Sequence, residues 1–366
     1  AYAIYDGISL EAILEPADEL LDECNVSWSV PGPTSAESMP IGNGDIGLNV
    51  WVEENGDLNF YISKTDAWSE DNSGNLALLK LGKVRVSLSP QPSLSSFTQV
   101  LKLRTGEILV QEGDTTFRVW VDANNPVIRV EATSAQPVSM SVAMETWRTV
   151  DTGVVADTIL NNQTDKIVWY HRNPSSADVH VADRTFGALI EGNGLVSVDS
   201  TTLQSASAST TQVVSIYPLT TETASAEDWL TQLNQQAAQI GGLGLETTRS
   251  AHQDWWSQFW NRSWIFVRGD SDAVETTQGY VLQRFVTACG GRGDYPIKFN
   301  VSIFNMDNQS LTRGGSTKAV SADYRTWGGR YWFQNTRAMY WPRLAAGDFD
   351  MMLPLFDMYK GQLALN

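Results

Sequence analysis

The stretch GEILVQEGDTTFRVWVDANNPVIRVEATS, Gly106 to Ser134, contains three short runs in which apolar and polar side chains alternate. Residues 112–114 (Glu-Gly-Asp) and residues 124–126 (Asn-Asn-Pro) separate these runs, and both are turn-forming sequences. Alternation with a period of two predicts half-buried strands, and short turns between consecutive strands predict antiparallel pairing. The stretch therefore predicts an antiparallel β-sheet.

The same alternation extends from Val26 to about Pro218. In LGKVRVSLSP, at residues 81–90, apolar side chains alternate with Lys, Arg and Ser. Several short alternating strands in succession are typical of a large antiparallel β-sandwich. We predict a β-sandwich domain at residues 26–225, preceded by an N-terminal extension at residues 1–25.

The periodicity becomes helical after the sandwich. Ser225 has the character of a helix N-cap, and Trp229, Leu233 and Ala237 follow at helical spacing. The sequence GGLG interrupts this pattern before a second amphipathic helix begins. We predict a helical linker at residues 226–271.

Residues 272–366 are predicted to form a helical domain. A Gly-Gly pair after Cys289 is expected to end its first helix, and later helices are expected to break around Gly347 with Asp348 as an N-cap. This segment is too short to close on itself as a complete helical domain.

Composition excludes several classes of function. The 366 residues carry 42 acidic and 25 basic side chains, a formal net charge of -17, so neither nucleic acid nor an anionic membrane surface is an expected partner. No stretch has the length and apolarity of a membrane span, and the N-terminus lacks the features of a signal peptide. His171, His180 and His252 show no metal-ligand spacing, so we predict no metal and no cofactor.

Sequons and cysteines indicate the compartment. Because the chain combines five N-glycosylation sequons with 14 tryptophans and an acidic composition, we expect a secreted, extracellular glycoprotein. Cys24 and Cys289 are either a disulfide or two buried thiols. The predicted glycosylation sites are Asn25, Asn162, Asn261, Asn300 and Asn308.

The segment YRTWGGRYWFQNTRAMYW, Tyr324 to Trp341, combines aromatic rings with arginines and amides. Sugars stack on indole rings and offer hydroxyls to such polar groups, so the segment is predicted to bind carbohydrate. Trp341 is expected to be core, and Asp323 is expected to pair with Arg325. The predicted substrate-binding residues of this segment are Trp327, Arg330, Trp332, Gln334 and Arg337.

Two motifs carry a family resemblance. SMPIGNGDIG at residues 38–47 and KTDAW at residues 64–68 resemble the N-terminal β-sandwich of glycoside hydrolase family 95. The chain is more similar, through YWFQNTRAMYWPRLAAGDFD and its strand sequences, to the group called domain of unknown function 5703. This resemblance covers nearly the whole chain from Val26 onward.

The resemblance implies a fold and an activity. It implies an N-terminal sandwich, a helical linker and the first part of an (α/α)6 barrel, with inverting hydrolysis of terminal α-fucosyl or α-galactosyl residues. Asn335 matches the second of two asparagines that position water in family 95, whereas Phe333 replaces the first. Gly329 and Tyr331 also depart from the family pattern. The general acid and base are expected to be absent from this chain.

The resemblance also places Asp66 and Trp68 at the domain interface, where they are predicted to bind substrate; interface packing is the alternative. For Asn335 the alternative is helix capping. A non-catalytic carbohydrate-binding or structural protein and a polysaccharide lyase remain alternative functions. The expected partners are a carbohydrate substrate and a second chain or fragment that could complete the barrel.

Overall fold

The computed structural model describes residues 18–151, 153–300, 302–325 and 331–363. Strands dominate the chain up to Glu222, and helices dominate thereafter. The strands are β1 (Val26–Trp28), β2 (Met39–Gly42), β3 (Ile46–Val52), β4 (Leu58–Glu70), β5 (Leu76–Ser89), β6 (Thr98–Lys102), β7 (Glu107–Glu112), β8 (Thr115–Val121), β9 (Ile128–Glu145), β10 (Thr158–Ile159), β11 (Ile167–Arg172), β12 (Arg184–Gly192), β13 (Leu195–Ser197), β14 (Thr202–Ser205), β15 (Ser209–Glu222), β16 (Asn308–Arg313) and β17 (Ser316–Val320).

The helices pack around this strand-rich part. They are α1 (Asp18–Glu23), α2 (Ala226–Gly241), α3 (Leu245–Trp260), α4 (Ser271–Cys289), α5 (Phe333–Ala346) and α6 (Leu353–Gln362), with short 3₁₀ turns at Ser35–Glu37, Leu94–Ser96 and Phe349–Met352.

Strands β1 to β15 form two sheets that share β9. The first sheet has the order β1-β6-β7-β8-β9-β15-β12-β11-β10, and the second has the order β2-β3-β4-β5-β9-β14-β13. Pro137 lies in β9 where this strand passes from one sheet to the other, a position that suits a residue without a backbone N–H. Every pairing among the described strands is antiparallel, which confirms the antiparallel sheet prediction.

The stretch from Gly106 to Ser134 forms β7, β8 and the start of β9. Phe117 and Val119 face the core between the sheets, whereas Trp120 is buried on the opposite face of β8. Trp120 is covered there by α3, where its ring centroid lies 5.0 Å from that of His252. Helix α2 covers the same sheet through Trp229, which packs with Tyr217. The linker helices therefore bury the outer face of the first sheet.

Two features of the C-terminal part differ from the sequence prediction. Strands β16 and β17 form a hairpin inside the part predicted to be helical, because Gly314 and Gly315 both adopt positive φ angles (59° and 78°), as a two-residue turn requires. Helices α4, α5 and α6 do not close a barrel within the described residues, so the (α/α)6 prediction is not confirmed.

The Gly42-Asn43-Gly44 turn docks the end of α4 onto the sandwich. Gly44 donates its N–H to the carbonyl of Cys289 at 2.9 Å, and its own carbonyl accepts from the N–H groups of Arg292 and Gly293. A Cβ on Gly42 would lie 2.4 Å from the Cys289 carbonyl oxygen, so the backbones meet too closely for a side chain. This glycine turn therefore forms a backbone contact between the sandwich and the end of α4.

Helix ends agree with the sequence in most cases. Ser225 caps α2 by accepting the N–H of Asp228, and α4 and α5 end before Gly290 and Gly347 as predicted. Asp348 occupies the predicted N-cap position, at the 3₁₀ turn Phe349–Met352, but its side chain makes no capping hydrogen bond because its carboxylate binds Arg284 in the interior.

Cys24 and Cys289 are both buried free thiols. The alternative of a disulfide between them therefore does not describe this structure. Burial raises the pKa of both thiols, which keeps them protonated at neutral pH.

His252 makes the packing of α3 sensitive to pH. Its Nδ1 accepts the N–H of Ala123 at 3.1 Å and its Nε2 donates to the carbonyl of Thr105 at 2.8 Å, an arrangement that fits only the neutral ring. Burial lowers the pKa of His252 to about 4. Between about pH 6.5 and 4, His252 therefore binds a proton in the unfolded chain but not in the folded chain.

We expect the free energy of unfolding to fall by about 3 kcal/mol as the pH is lowered from about 6.5 to 4, because His252 is protonated in the unfolded chain before it is protonated in the folded chain. Above that window this loss is absent. Urea unfolding at several pH values measures the loss. The control is His252→Gln, which hydrogen-bonds without titrating and should show a shallower pH dependence. Parallel pH profiles for both proteins would contradict the assignment.

Candidate functional site

Residues 64–68, which the family resemblance places in a loop at the domain interface, lie inside β4. The ammonium group of Lys64 is 2.7 Å from an Asp66 carboxylate oxygen and 2.8 Å from one of Asp45. Burial raises the pKa of Asp66, and Asp45 adds to this effect against the opposing charge of Lys64. Asp66 is therefore a buried member of an Asp-Lys-Asp group, whereas Asp45 is only partly buried.

Trp68 joins this strand to the segment before α5. It is only 3% exposed, and its ring packs edge-on against Tyr331 with centroids 5.8 Å apart. Tyr331 has a φ of 46°, a strained conformation for a residue with a side chain. Packing against Trp68 helps to hold that conformation, so Trp68 acts here as an interface residue. The structure brings it together with the predicted segment but leaves it no open face for a sugar.

Helix α5 presents a row of aromatic and cationic side chains. Phe333, Arg337 and Trp341 recur at intervals of four residues, so they share one side of the helix. The guanidinium of Arg337 lies 5.4 Å from the ring centroid of Phe333 and 5.6 Å from that of Trp341. We call these three side chains, together with Trp332 at the N-cap, the α5 surface.

The α5 surface is open to solvent. Trp332 is 50% exposed and both Phe333 and Trp341 are 60% exposed. The prediction that Trp341 is core is therefore wrong. Its neighbours in sequence are apolar, but the helical turn directs its ring away from the interior, where Tyr340 lies instead. Arg337 is partly buried, and its Nε is buried without an acceptor among the described residues.

The other predicted residues of this segment divide into three groups. Gln334 is exposed in the first turn of α5, and Asn335 is half-buried there without capping the helix through its side chain. Asn335 lies about 160° around the helix from Arg337, since each residue advances the helix by about 100°. Trp327 and Arg330 lie outside the described residues.

Asp323 holds the segment after the hairpin against the second sheet. One carboxylate oxygen accepts the backbone N–H of Lys80 at 2.8 Å. The other accepts from the indole N–H of Trp147 at 2.7 Å and from the guanidinium of Arg148 at 2.6 Å. This carboxylate therefore joins three donors, one from β5 and two from the loop that follows β9.

The prediction that Asp323 pairs with Arg325 is therefore wrong. Arg148 is buried and its charge needs carboxylate partners, which Asp157 at 2.9 Å and Asp323 provide. Arg325 donates to the side chain of Asn300 at 3.3 Å instead. No signal in the sequence identifies this network, because its members are far apart along the chain.

The sequons differ in exposure. Asn162 and Asn261 are exposed, whereas Asn25, Asn300 and Asn308 are partly buried. Glycosylation and secretion stay predictions. No helix in the described ranges has the length and apolarity needed to span a membrane.

Comparison with solved structures shows a shared fold. The chain is similar to the structure described as "Putative kojibiose phosphorylase from human microbiome", with a TM-score of 0.53 and 10% sequence identity. The match covers 78% of this chain and 44% of that chain, so the present chain spans less than half of that protein's length. The comparison with curated proteins found no match.

Comparison with protein families gives a closer assignment. The N-terminal profile described as Domain of unknown function (DUF5703) matches residues 27–184 and residues 176–265. These ranges include both sheets of the sandwich, α2 and α3, and together they cover well over half of the chain. The chain therefore belongs to the DUF5703 family.

Proposed function

We propose that this protein is carbohydrate-active and that the α5 surface binds sugar. The observation that carries the proposal is the row formed by the exposed rings of Phe333 and Trp341 with the partly buried Arg337 between them. Aromatic rings offer faces on which the C–H groups of a sugar stack, and a guanidinium donates several hydrogen bonds to ring and hydroxyl oxygens. The fold shared with the phosphorylase structure supports a carbohydrate ligand, although that likeness by itself concerns the fold alone.

The finer proposal is an inverting α-glycosidase related to glycoside hydrolase family 95, acting on terminal α-fucosyl or α-galactosyl residues. Such a reaction needs a general acid and a general base whose carboxyl groups stand about 6.5–9.5 Å apart on opposite sides of the scissile bond. Asn335 would hold the attacking water, since an amide orients water without adding charge. The general acid and base are not assigned to any described residue.

The binding and hydrolysis proposals are separable. Because Asn335 and Arg337 lie on different sides of α5, a sugar bound beside Arg337 does not contact Asn335 directly. Hydrolysis predicts that proton NMR of an α-fucoside or α-galactoside incubated with the protein shows the β-anomer of the free sugar first. Binding without any turnover would favour a non-catalytic carbohydrate-binding protein.

Replacing Trp332 with alanine should weaken sugar binding about ten-fold. A stacked ring contributes about 1–1.5 kcal/mol, and Trp332 is half exposed, so its loss should change the affinity more than the stability. Isothermal titration with methyl α-L-fucoside and methyl α-D-galactoside measures the change.

The matched control is Trp264→Ala, since Trp264 is a partly buried tryptophan that packs on Phe266 outside the α5 surface. It should bind sugar like the unmodified protein. Equal affinity in the Trp332 variant and the unmodified protein, with a lower melting temperature in the variant, would mean that Trp332 only supports the fold.

A further inference from the structure

A concave site lies on the outer face of the second sheet and shares no residue with the α5 surface. Its aromatic walls are Trp51 on β3, Tyr61 on β4 and Trp147, which follows β9. The pocket has a volume of about 410 Å³, within the range of about 300–1,000 Å³ that small-molecule sites occupy. Its polar walls include Glu53, Lys83, Glu145, Asp307 and Gln309.

The sheet register explains why these side chains meet. Tyr61 is paired with Lys83, and Lys83 with Glu145, so the three lie in one row across β4, β5 and β9. Their neighbours along each strand, such as Phe60 and Val84, face the core. The row therefore projects outward, and the chain around Asp307 folds over one side of it.

The aromatic rings form a fixed corner. The ring centroids of Trp51 and Tyr61 are 5.2 Å apart with their planes at 44°, and those of Tyr61 and Trp147 are 5.6 Å apart with their planes at 90°. Trp51 and Tyr61 are buried, whereas Trp147 is partly exposed. Asp323 fixes Trp147 by accepting its indole N–H at 2.7 Å. Trp147 therefore offers a rigid ring at the mouth of the pocket.

The charges favour a neutral ligand over a cation. An aromatic corner with acidic neighbours suits organic cations in general. Here the ammonium of Lys83 already lies 5.6 Å from the Trp51 ring, and the guanidinium of Arg148 lies 5.2 Å from the Trp147 ring. Lys83 is also 3.1 Å from Glu145, which is thereby already paired. Both rings therefore already have a cation beside them, which a second cation would have to displace.

The polar groups can both accept and donate hydrogen bonds. Asp307 accepts from the Tyr61 hydroxyl at 2.8 Å and from Ser35 and Gln309. Burial alone would raise the pKa of Asp307, but these hydrogen bonds lower it, so the carboxylate is charged at neutral pH. The buried indole N–H of Trp51 has no acceptor within the described part of the chain.

We propose that this pocket binds a neutral sugar. Trp147 stacks on one face of the sugar ring. Asp307 and Glu145 accept hydrogen bonds from the sugar hydroxyl groups, and Lys83 and Gln309 donate hydrogen bonds to the sugar oxygens. The pocket is a binding subsite of the sandwich and needs no bond-breaking chemistry. It is independent of the α5 surface and does not require that the α5 surface binds sugar.

Titration of the whole chain with methyl α-D-galactoside, methyl β-D-glucoside and choline chloride tests this proposal. At least one glycoside should bind, Trp147→Ala should weaken that binding by about ten-fold or more, and Trp147→Phe should weaken it less because a ring remains. Choline should not bind. Binding of choline instead of sugar, or no glycoside binding at all, would overturn the proposal.

Two further variants separate this pocket from the α5 surface and from effects on folding. Gln309→Ala alters an exposed side chain of the pocket, so it should weaken binding about three-fold or more at an unchanged melting temperature. Trp332→Ala should leave the pocket's affinity unchanged. If Trp332→Ala abolishes all sugar binding while Trp147→Ala and Gln309→Ala leave it intact, the pocket proposal fails and the α5 proposal stands.

Discussion

Replacing Asp348 with alanine should lower the free energy of unfolding by about 3–5 kcal/mol, because it leaves a buried arginine without its counter-charge. The two carboxylate oxygens of Asp348 lie 3.0 Å from Nε and 2.9 Å from Nη2 of Arg284, a bidentate pair. Arg284 is only 3% exposed, and its guanidinium stacks 4.1 Å from the centroid of the Phe259 ring. Because Arg284 lies on α4 and Phe259 lies on α3, this pair holds the chain at the end of α5 against both helices.

Chemical denaturation of Asp348→Ala measures this loss. The matched control is Asp350→Ala, two residues away, whose carboxylate is 48% exposed and pairs with Arg262 at 2.6 Å. Exposed pairs contribute about 0–1 kcal/mol, so this control should change little. Similar small losses in both variants would show that the Arg284 pair does not anchor the helices. The double variant with Arg284→Met should be less destabilised than the sum of the single variants.

Replacing Asp323 with alanine should cost about 3 kcal/mol or more of unfolding free energy. It removes one of the two carboxylates that compensate the buried charge of Arg148, and it leaves the N–H groups of Lys80 and Trp147 without their acceptor. The remaining partner of Arg148 is Asp157, at 2.9 Å. Because Trp147 then loses its fixed position, sugar binding in the pocket should also weaken.

Asp323→Asn is the matched variant for this prediction, since an asparagine of the same shape keeps an acceptor but loses the charge. It should lie between the unmodified protein and the alanine variant in urea unfolding. Hydrogen exchange should show the loss first in residues 303–325 and around Trp147. An alanine variant as stable as the unmodified protein would contradict the role assigned to Asp323.

The antiparallel sheets were predictable because side-chain alternation is a local signal. The 106–134 stretch shows this clearly, since each turn and each run of the sequence corresponds to an observed turn and strand. The Gly314-Gly315 pair is also a local signal for a two-residue hairpin turn, but the prediction of a helical domain at residues 272–366 did not include it.

The positions of the site residues were less predictable. Asp66 and Trp68 are buried inside β4 although polar residues surround them, and the Lys64 ammonium compensates the carboxylate of Asp66 there. The sugar pocket combines side chains from β3, β4 and two later segments, and such convergence depends on sheet register that no local pattern encodes. The pairing of Asp348 with Arg284 was not predictable either, since Arg284 lies on α4, far from Asp348 along the chain.

The central claim is that this member of the DUF5703 family binds carbohydrate through exposed aromatic side chains. Saturation-transfer NMR tests it most directly, by irradiating the aromatic protons of the protein in the presence of methyl α-L-fucoside, methyl α-D-galactoside or methyl β-D-glucoside. Transfer to the sugar C–H protons is expected, reduced in Trp332→Ala and in Trp147→Ala and reduced most when both changes are combined. The absence of transfer to all three glycosides in the folded, unmodified protein would contradict it.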